Sequence, residues 1–436
     1  MQSDHVTLAF AAALLLSLAT KLWLNTRQMR HVALHRNTVP AAFAGTVTLE
    51  AHQRAADYTL AKGRLGLFAT AFASLLLLAW TLLGGLDALN LWLVDNVLPA
   101  WGPMVYQLAL LAAFTLIGTL LELPLDAYST FRIEQRFGFN RMTWKLWLVD
   151  MAKGAAVGTL IGLPLAAVIL WIMGASGGLW WLYAWVTWVG FNLLLLVLYP
   201  TVIAPMFNKF EPLPDEALKQ RVQALMQRCG FAAKGLFVMD GSKRSAHANA
   251  YFTGLGAAKR VVFFDTLLQR LTPAEVEAVL AHELGHFKHK HVLKRMVGIF
   301  AFSLLGLALL GWLAGQSGFY AGLGVQPNIA APNHALALLL FMMALPPFTF
   351  FISPVAAYFS RRDEFQADAY ASAQADGAHL ASALLKLHED NAATLTPDPV
   401  YVRFYYSHPP ASERLAALPA PAALAPNPSF NSPATA

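Results

Sequence analysis

The chain has 436 residues, 57% of them hydrophobic and only 13% charged, and its mean hydropathy is +0.49. A soluble domain carries about a quarter charged residues, so this composition excludes a disordered chain, a fibre and an ordinary water-soluble enzyme. The net charge of +6 is what loop lysines and arginines give a membrane protein, and no nucleic-acid partner is expected from it. Cys229 is the single cysteine, which excludes an internal disulfide and a cysteine-built metal cage.

A helix needs about 20 apolar residues to cross the hydrocarbon of a bilayer. In chain order, runs of this kind predict seven spans, near residues 6–24, 65–86, 103–123, 154–174, 179–201, 296–314 and 335–357. The first is read as a retained anchor, because no basic stretch precedes it and no small-residue cleavage site follows it. Lysine and arginine cluster in residues 21–64 and 124–153, and Arg361 and Arg362 follow the last span. Residues 1–5, 87–102, 174–178 and 315–334 carry none. That alternation predicts an outside N-terminus, with the polar segments 202–295 and 361–415 together in the cytoplasm. Glu122, Asp126 and Glu134 border the third span and read as solvated boundary residues.

The first polar segment reads as a small domain. Residues 215–229 predict an amphipathic helix closed by Gly230, and strands are expected at 235–240, 247–253 and 259–265. Thr272, Pro273 and Glu275 have the spacing of a capping box that opens a further helix. This helix runs into His-Glu-Leu-Gly-His at residues 282–286. Residues four apart share a helical face, so His282 and His286 can turn their imidazoles toward one zinc ion. Glu283, offset around the helix, can accept a proton from water activated there. A catalytic zinc needs a third protein ligand. His289 and His291, on a continuing helix, point elsewhere. Glu364 is the better candidate, with Asp363 the alternative. Asp368, four residues beyond Glu364, is placed to accept the other ring N–H of a ligand histidine. The tail, residues 416–436, is uncharged and rich in alanine and proline, and is predicted to be disordered.

The zinc motif is accompanied by five further blocks: EQRFGFNRMT at 134–143, YPTVIAPMFNKFEPL at 199–213, SAHANAYFTG at 245–254, RRDEFQADA at 361–369 and YYSHPPASERL at 405–415. Together they resemble the CAAX prenyl protease 1 family of membrane zinc metalloproteases. The resemblance implies a mainly α integral membrane protein, with seven transmembrane helices enclosing a chamber. A small α+β gluzincin-like zinc protease domain would lie on the cytoplasmic side. It implies transmembrane helices within 1–201 and 296–357, and catalytic segments at 202–295 and 358–415. One zinc per chain would be held by His282, His286 and Glu364, with Glu283 as general base. His408 and Arg414 would stabilise the oxyanion. Asn249 and Ala250 would lie on an edge strand that pairs with the substrate backbone.

The implied activity is that of a zinc metalloendopeptidase on a peptide or protein substrate within the lipid bilayer. Two roles follow: removal of a C-terminal tripeptide from prenylated CAAX proteins, or turnover of membrane and misfolded proteins. The alanine-rich composition leads us to expect a bacterial plasma membrane. A transporter or a silent zinc-binding scaffold are the competing classes. Spans nearly free of ionisable groups weigh against the first, and a full set of catalytic groups weighs against the second.

Overall fold

The structure, a computed structural model, describes residues 1–231, 235–253 and 260–418. Among the described residues seven helical stretches are long and apolar enough to cross a membrane, in the expected order. The first half contains α1 (Ser3–His35), α2 (Leu49–Trp80), the short α3 (Gly85–Asn96) and α4 (Leu98–Tyr128). It continues with α5 (Trp144–Ala175), α6 (Trp180–Leu198) and the single turn α7 (Ala204–Phe207). The second expected span is shifted: α2 stops at Trp80, and Gly84 takes a left-handed φ of 78° to start α3. Beyond α4 the backbone widens into a π turn over Ser129–Glu134.

The polar domain follows as β1 (Phe210–Pro212), α8 (Glu216–Arg228), β2 (Gly235–Met239), β3 (Ala250–Thr253), β4 (Arg260–Phe264), α9 (Asp265–Arg270) and α10 (Pro273–Lys288). The chain re-enters the apolar region through α11 (His291–Leu313), α12 (Ser317–Gly322) and α13 (His334–Thr349). After one 3-10 turn it leaves through α14 (Ser353–Gln374), then ends in α15 (Gly377–Asp390), α16 (Pro399–Tyr405) and α17 (Ala411–Ala417). The tail expected to be disordered from residue 416 is ordered at its start: Ala416 and Ala417 are helical, and Leu418 is buried. The remainder of that tail, like Lys259 of the third expected strand, lies outside the described residues.

The four strands form one sheet in the order β1-β2-β4-β3, with β2 parallel to β4 and both outer pairs antiparallel. β1 was not expected; three residues are too few to show alternation. β3 is an edge strand, as the resemblance implied. The domain core joins Val222 and Leu225 of α8, Val261 and Phe263 of β4, and Val276, Leu280 and Leu284 of α10.

Two buried acids fix α10. The Thr272 hydroxyl and Glu275 complete the expected capping box, and Glu275 also accepts from Ser382 Oγ at 2.6 Å and Lys386 Nζ at 2.8 Å on α15. Glu277 takes Arg221 and Arg228 from α8. Burial alone would push both carboxyls up, but these donors outweigh it and hold them below the usual range. Clamped on both flanks, α10 presents residues 282–286 from a rigid support.

Candidate metal centre

α14 reaches α10 because the crossing point is a glycine. A Cβ placed on Gly285 would sit 2.9 Å from Ala367 Cα and 3.2 Å from Tyr370 Cβ. Backbone at that distance has no flexible end to give way. Gly285→Ala is expected to force the two helices apart, costing about 1–3 kcal/mol and weakening metal retention. A thermal melt with and without zinc checks this, and a wild-type melting profile would refute the packing argument.

Through this contact α14 delivers Glu364 to the histidine pair. One ligand atom each from His282, His286 and Glu364 lie within 4.8 Å of one another. His282 Nε2 is 3.3 Å from His286 Nε2 and 3.4 Å from Glu364 Oε2, and His286 Nε2 is 3.4 Å from Glu364 Oε1. Glu364 is buried, and its Oε2 has no hydrogen-bond partner. A buried carboxylate oxygen without a donor is an unstable arrangement in a chain of this kind unless a cation completes it. Two imidazoles and one carboxylate are also the donor set of a catalytic zinc site. The residues present therefore fit a divalent metal. Asp363 takes no place among the three; it lies 3.5 Å from His291 Nε2.

Behind the cluster, each histidine is held through its other nitrogen. His282 Nδ1 donates to Asp368 Oδ1 at 2.8 Å. Arg414 in turn clasps Asp368, Nε on Oδ2 at 2.8 Å and Nη2 on Oδ1 at 2.5 Å. Burial would lower the basicity of His282, but its hydrogen bond to Asp368 and the Glu364 carboxylate beside it push it up to about 9. Burial pushes the Glu283 carboxyl up as well.

His286 is held by a residue expected to point elsewhere. Its Nδ1 lies 3.0 Å from His291 Nδ1, and His291 Nε2 lies 3.0 Å from Gln366 Oε1 on α14. The helix expected to continue through His291 breaks instead. Lys290 adopts a left-handed φ of 57°, and His291 opens α11 folded back against His286. With His286 Nε2 turned to the cluster, its Nδ1–H donates to His291 Nδ1, and His291 Nε2–H donates to Gln366. The one signal in the sequence was a polar interruption, Lys288 to Lys290, just before a span.

His408 stands at the exposed mouth, its Nε2 3.3 Å from Glu364 Oε1. Arg414 is buried, with two nitrogens committed to Asp368 and Nη1 3.8 Å from Glu364 Oε2. It thus braces Asp368 and lies beside Glu364 rather than standing open as a free donor. Asn249 is exposed at the start of β3; its backbone carbonyl accepts from the Phe264 amide at 3.0 Å, and its side chain accepts from the Ala250 amide. β3 reaches α10 through Phe252, whose ring centroid is 5.1 Å from that of Phe287, next to His286.

Glu134 corrects another expectation. It is not a solvated boundary residue. It accepts from Tyr58 Oη at 2.7 Å and approaches Lys62 Nζ and His247 Nε2, each at 3.6 Å. His247 also reaches Asn391 Oδ1 at 2.9 Å and stacks on Phe139 at 4.3 Å. The π turn aims Glu134 inward, and the loop behind it pairs with residues 244–246. The ends of the second and third spans thereby hold the segment leading into β3. Asp126 and Glu122 remain at the surface.

Seven spans, with two histidines of a capped helix meeting a glutamate from the helix that leaves the last span, define a metalloprotease embedded in a membrane. Residues 28–209 match the family model described as the CAAX prenyl protease N-terminal, five membrane helices, and residues 212–422 match peptidase family M48. A CAAX prenyl protease 1 homolog of Oryza sativa subsp. japonica is 34% identical, covering 91% of this chain and 93% of that protein. CAAX prenyl protease 1 of Saccharomyces cerevisiae is 33% identical over 88% and 89%, and the Homo sapiens homolog 31% over 94% and 95%. The crystal structure of S. mikatae Ste24p superimposes with a TM-score of 0.88 at 31% identity, covering 95% of this chain and 99% of that one. The chain belongs to peptidase family M48, in its CAAX prenyl protease 1 group. It is a multi-pass integral membrane metalloendopeptidase. These relatives are eukaryotic, which corrects the bacterial plasma-membrane setting expected from composition.

Proposed function

We propose that this protein is a zinc endopeptidase that removes the C-terminal tripeptide from prenylated CAAX substrates, with His282, His286 and Glu364 holding the metal. The observation that carries the reading is the convergence of three ligand atoms, from two helices, beside the carboxyl of Glu283. A zinc ion there supplies Lewis acidity, lowering the pKa of water and polarising the scissile carbonyl. Glu283 takes the proton from the attacking water and hands it to the departing amine, a task suited to a carboxyl whose affinity for protons burial has raised. His408, at the open mouth, donates to the developing oxyanion. Asp368, braced by Arg414, orients His282. The substrate backbone adds to the free edge of β3 beside Asn249 and Ala250, in register set by main-chain hydrogen bonds. The alternation of lysine and arginine in the loops supports a cytoplasmic position for this machinery.

The direct test incubates purified full-length protein with a farnesylated CAAX peptide and its unprenylated counterpart, reading products by mass spectrometry. Release of the tripeptide, stopped by phenanthroline and restored by zinc, is expected. Metal-restored protein that cleaves neither peptide would refute the substrate, and cleavage unaffected by chelation would refute the zinc.

His291 acts on this reaction through His286, as a positioning residue. His291→Phe is expected to weaken zinc retention by roughly 10- to 100-fold, measured by competition with a chelator. His291→Gln, which keeps an acceptor near His286 Nδ1, recovers part of it. Equal zinc affinity in all three proteins would remove this role.

A further inference from the structure

A crevice of about 800 Å³ opens between α2 and the end of α4. It is lined by Arg64, Arg132 and Arg136 together with the apolar Leu65, Phe68 and Leu125. The level is informative. Residues 65–86 contain no charge and Arg64 directly precedes them, while Arg132 and Arg136 follow the uncharged run of α4 that ends at Glu122, so the crevice opens on the polar side of these two spans, toward lipid headgroups.

Among the described residues none of the three guanidiniums has a carboxylate partner within ion-pairing distance. The acids nearby are engaged. Asp57, close enough to feel Arg64 and Arg136, is gripped by Arg36 through two bonds of 2.7 and 2.8 Å. Glu134 is taken by Tyr58 and Lys62. Three like charges around one crevice repel each other until an anion enters, and planar guanidinium groups match phosphate oxygens two by two. Leu65, Phe68 and Leu125 suit a hydrocarbon chain, and Tyr128 also lines the crevice.

We propose that this crevice binds an anionic phospholipid, its phosphate among Arg64, Arg132 and Arg136 and its acyl chain against Leu65, Phe68 and Leu125. The lipid would screen the ends of the second and third spans, one turn from the Tyr58 and Glu134 pair that anchors the segment before β3. The site is separate from the metal centre and does not depend on what that centre cleaves.

The experiment uses the full-length protein in neutral detergent and native mass spectrometry, with phosphatidic acid, phosphatidylcholine and glycerol phosphate as probes. Phosphatidic acid is expected to be retained over phosphatidylcholine by about tenfold or more. Each Arg→Gln change should weaken it about fivefold, and Arg64→Gln, Arg132→Gln and Arg136→Gln together on the order of a hundredfold. The matching triple lysine variant keeps charge and most of the binding, and supplies the comparison should the glutamine variant fail to fold. Phe68→Asn should weaken phosphatidic acid but not glycerol phosphate. Equal retention of the two lipids, unchanged binding in the folded glutamine variant, or glycerol phosphate binding as tightly as phosphatidic acid would each overturn the proposal. So would displacement of the lipid by the carboxylate terminus of a substrate peptide at comparable concentration.

Discussion

A Glu283→Gln variant is expected to keep its metal while peptide hydrolysis falls by roughly 10²–10⁴-fold. Glutamine has nearly the same volume and cannot accept the proton. The Glu283 carboxyl is not one of the three clustered ligand atoms, so its loss leaves the metal's protein donors complete. Metal content by mass spectrometry and cleavage of a farnesylated peptide are read on the same preparation. Surviving cleavage would mean that another group accepts the proton, and lost metal would mean that Glu283 is itself a ligand.

Glu364→Ala is expected to act one step earlier and empty the site. It removes the only carboxylate of the cluster and the only ligand supplied by α14. Because losing a group that merely orients a ligand costs up to about 100-fold in affinity, losing the ligand should exceed that, and activity should disappear with the metal. His408→Ala provides the contrast: it touches Glu364 from the exposed side and should reduce turnover while zinc stays bound. If Glu364→Ala retained stoichiometric zinc, the proposed ligand set would be wrong.

The parts of this protein that were legible in its sequence are those where one physical rule dominates. Lipid excludes charge, so uncharged runs marked all seven spans and the interruptions between them. A capping box is local, so Thr272 and Glu275 announced α10 from four residues. The pairing of His282 with His286 followed from helical period alone. What sequence reasoning missed depends on backbone departures. The left-handed Lys290 turned His291 from a bystander into the neighbour of His286. The π turn at Ser129–Glu134 drew Glu134 into contact with Tyr58 and His247, 76 residues upstream and more than a hundred downstream. The resemblance associated Arg414 with the site, yet its grip on Asp368 depends on where α17 docks, which no local pattern records.

The last span and the helix bearing Glu364 are continuous, His334–Gln374 interrupted only by a 3-10 turn at Phe350–Ile352. We expect the two parts of this rod to move together as a lever. Its apolar part adjusts its tilt to the thickness of the surrounding lipid, and any tilt is carried to the carboxylate at its far end. Turnover should therefore vary with acyl-chain length in reconstituted vesicles even for a soluble peptide, because the membrane helps to set the distance between two halves of one coordination site.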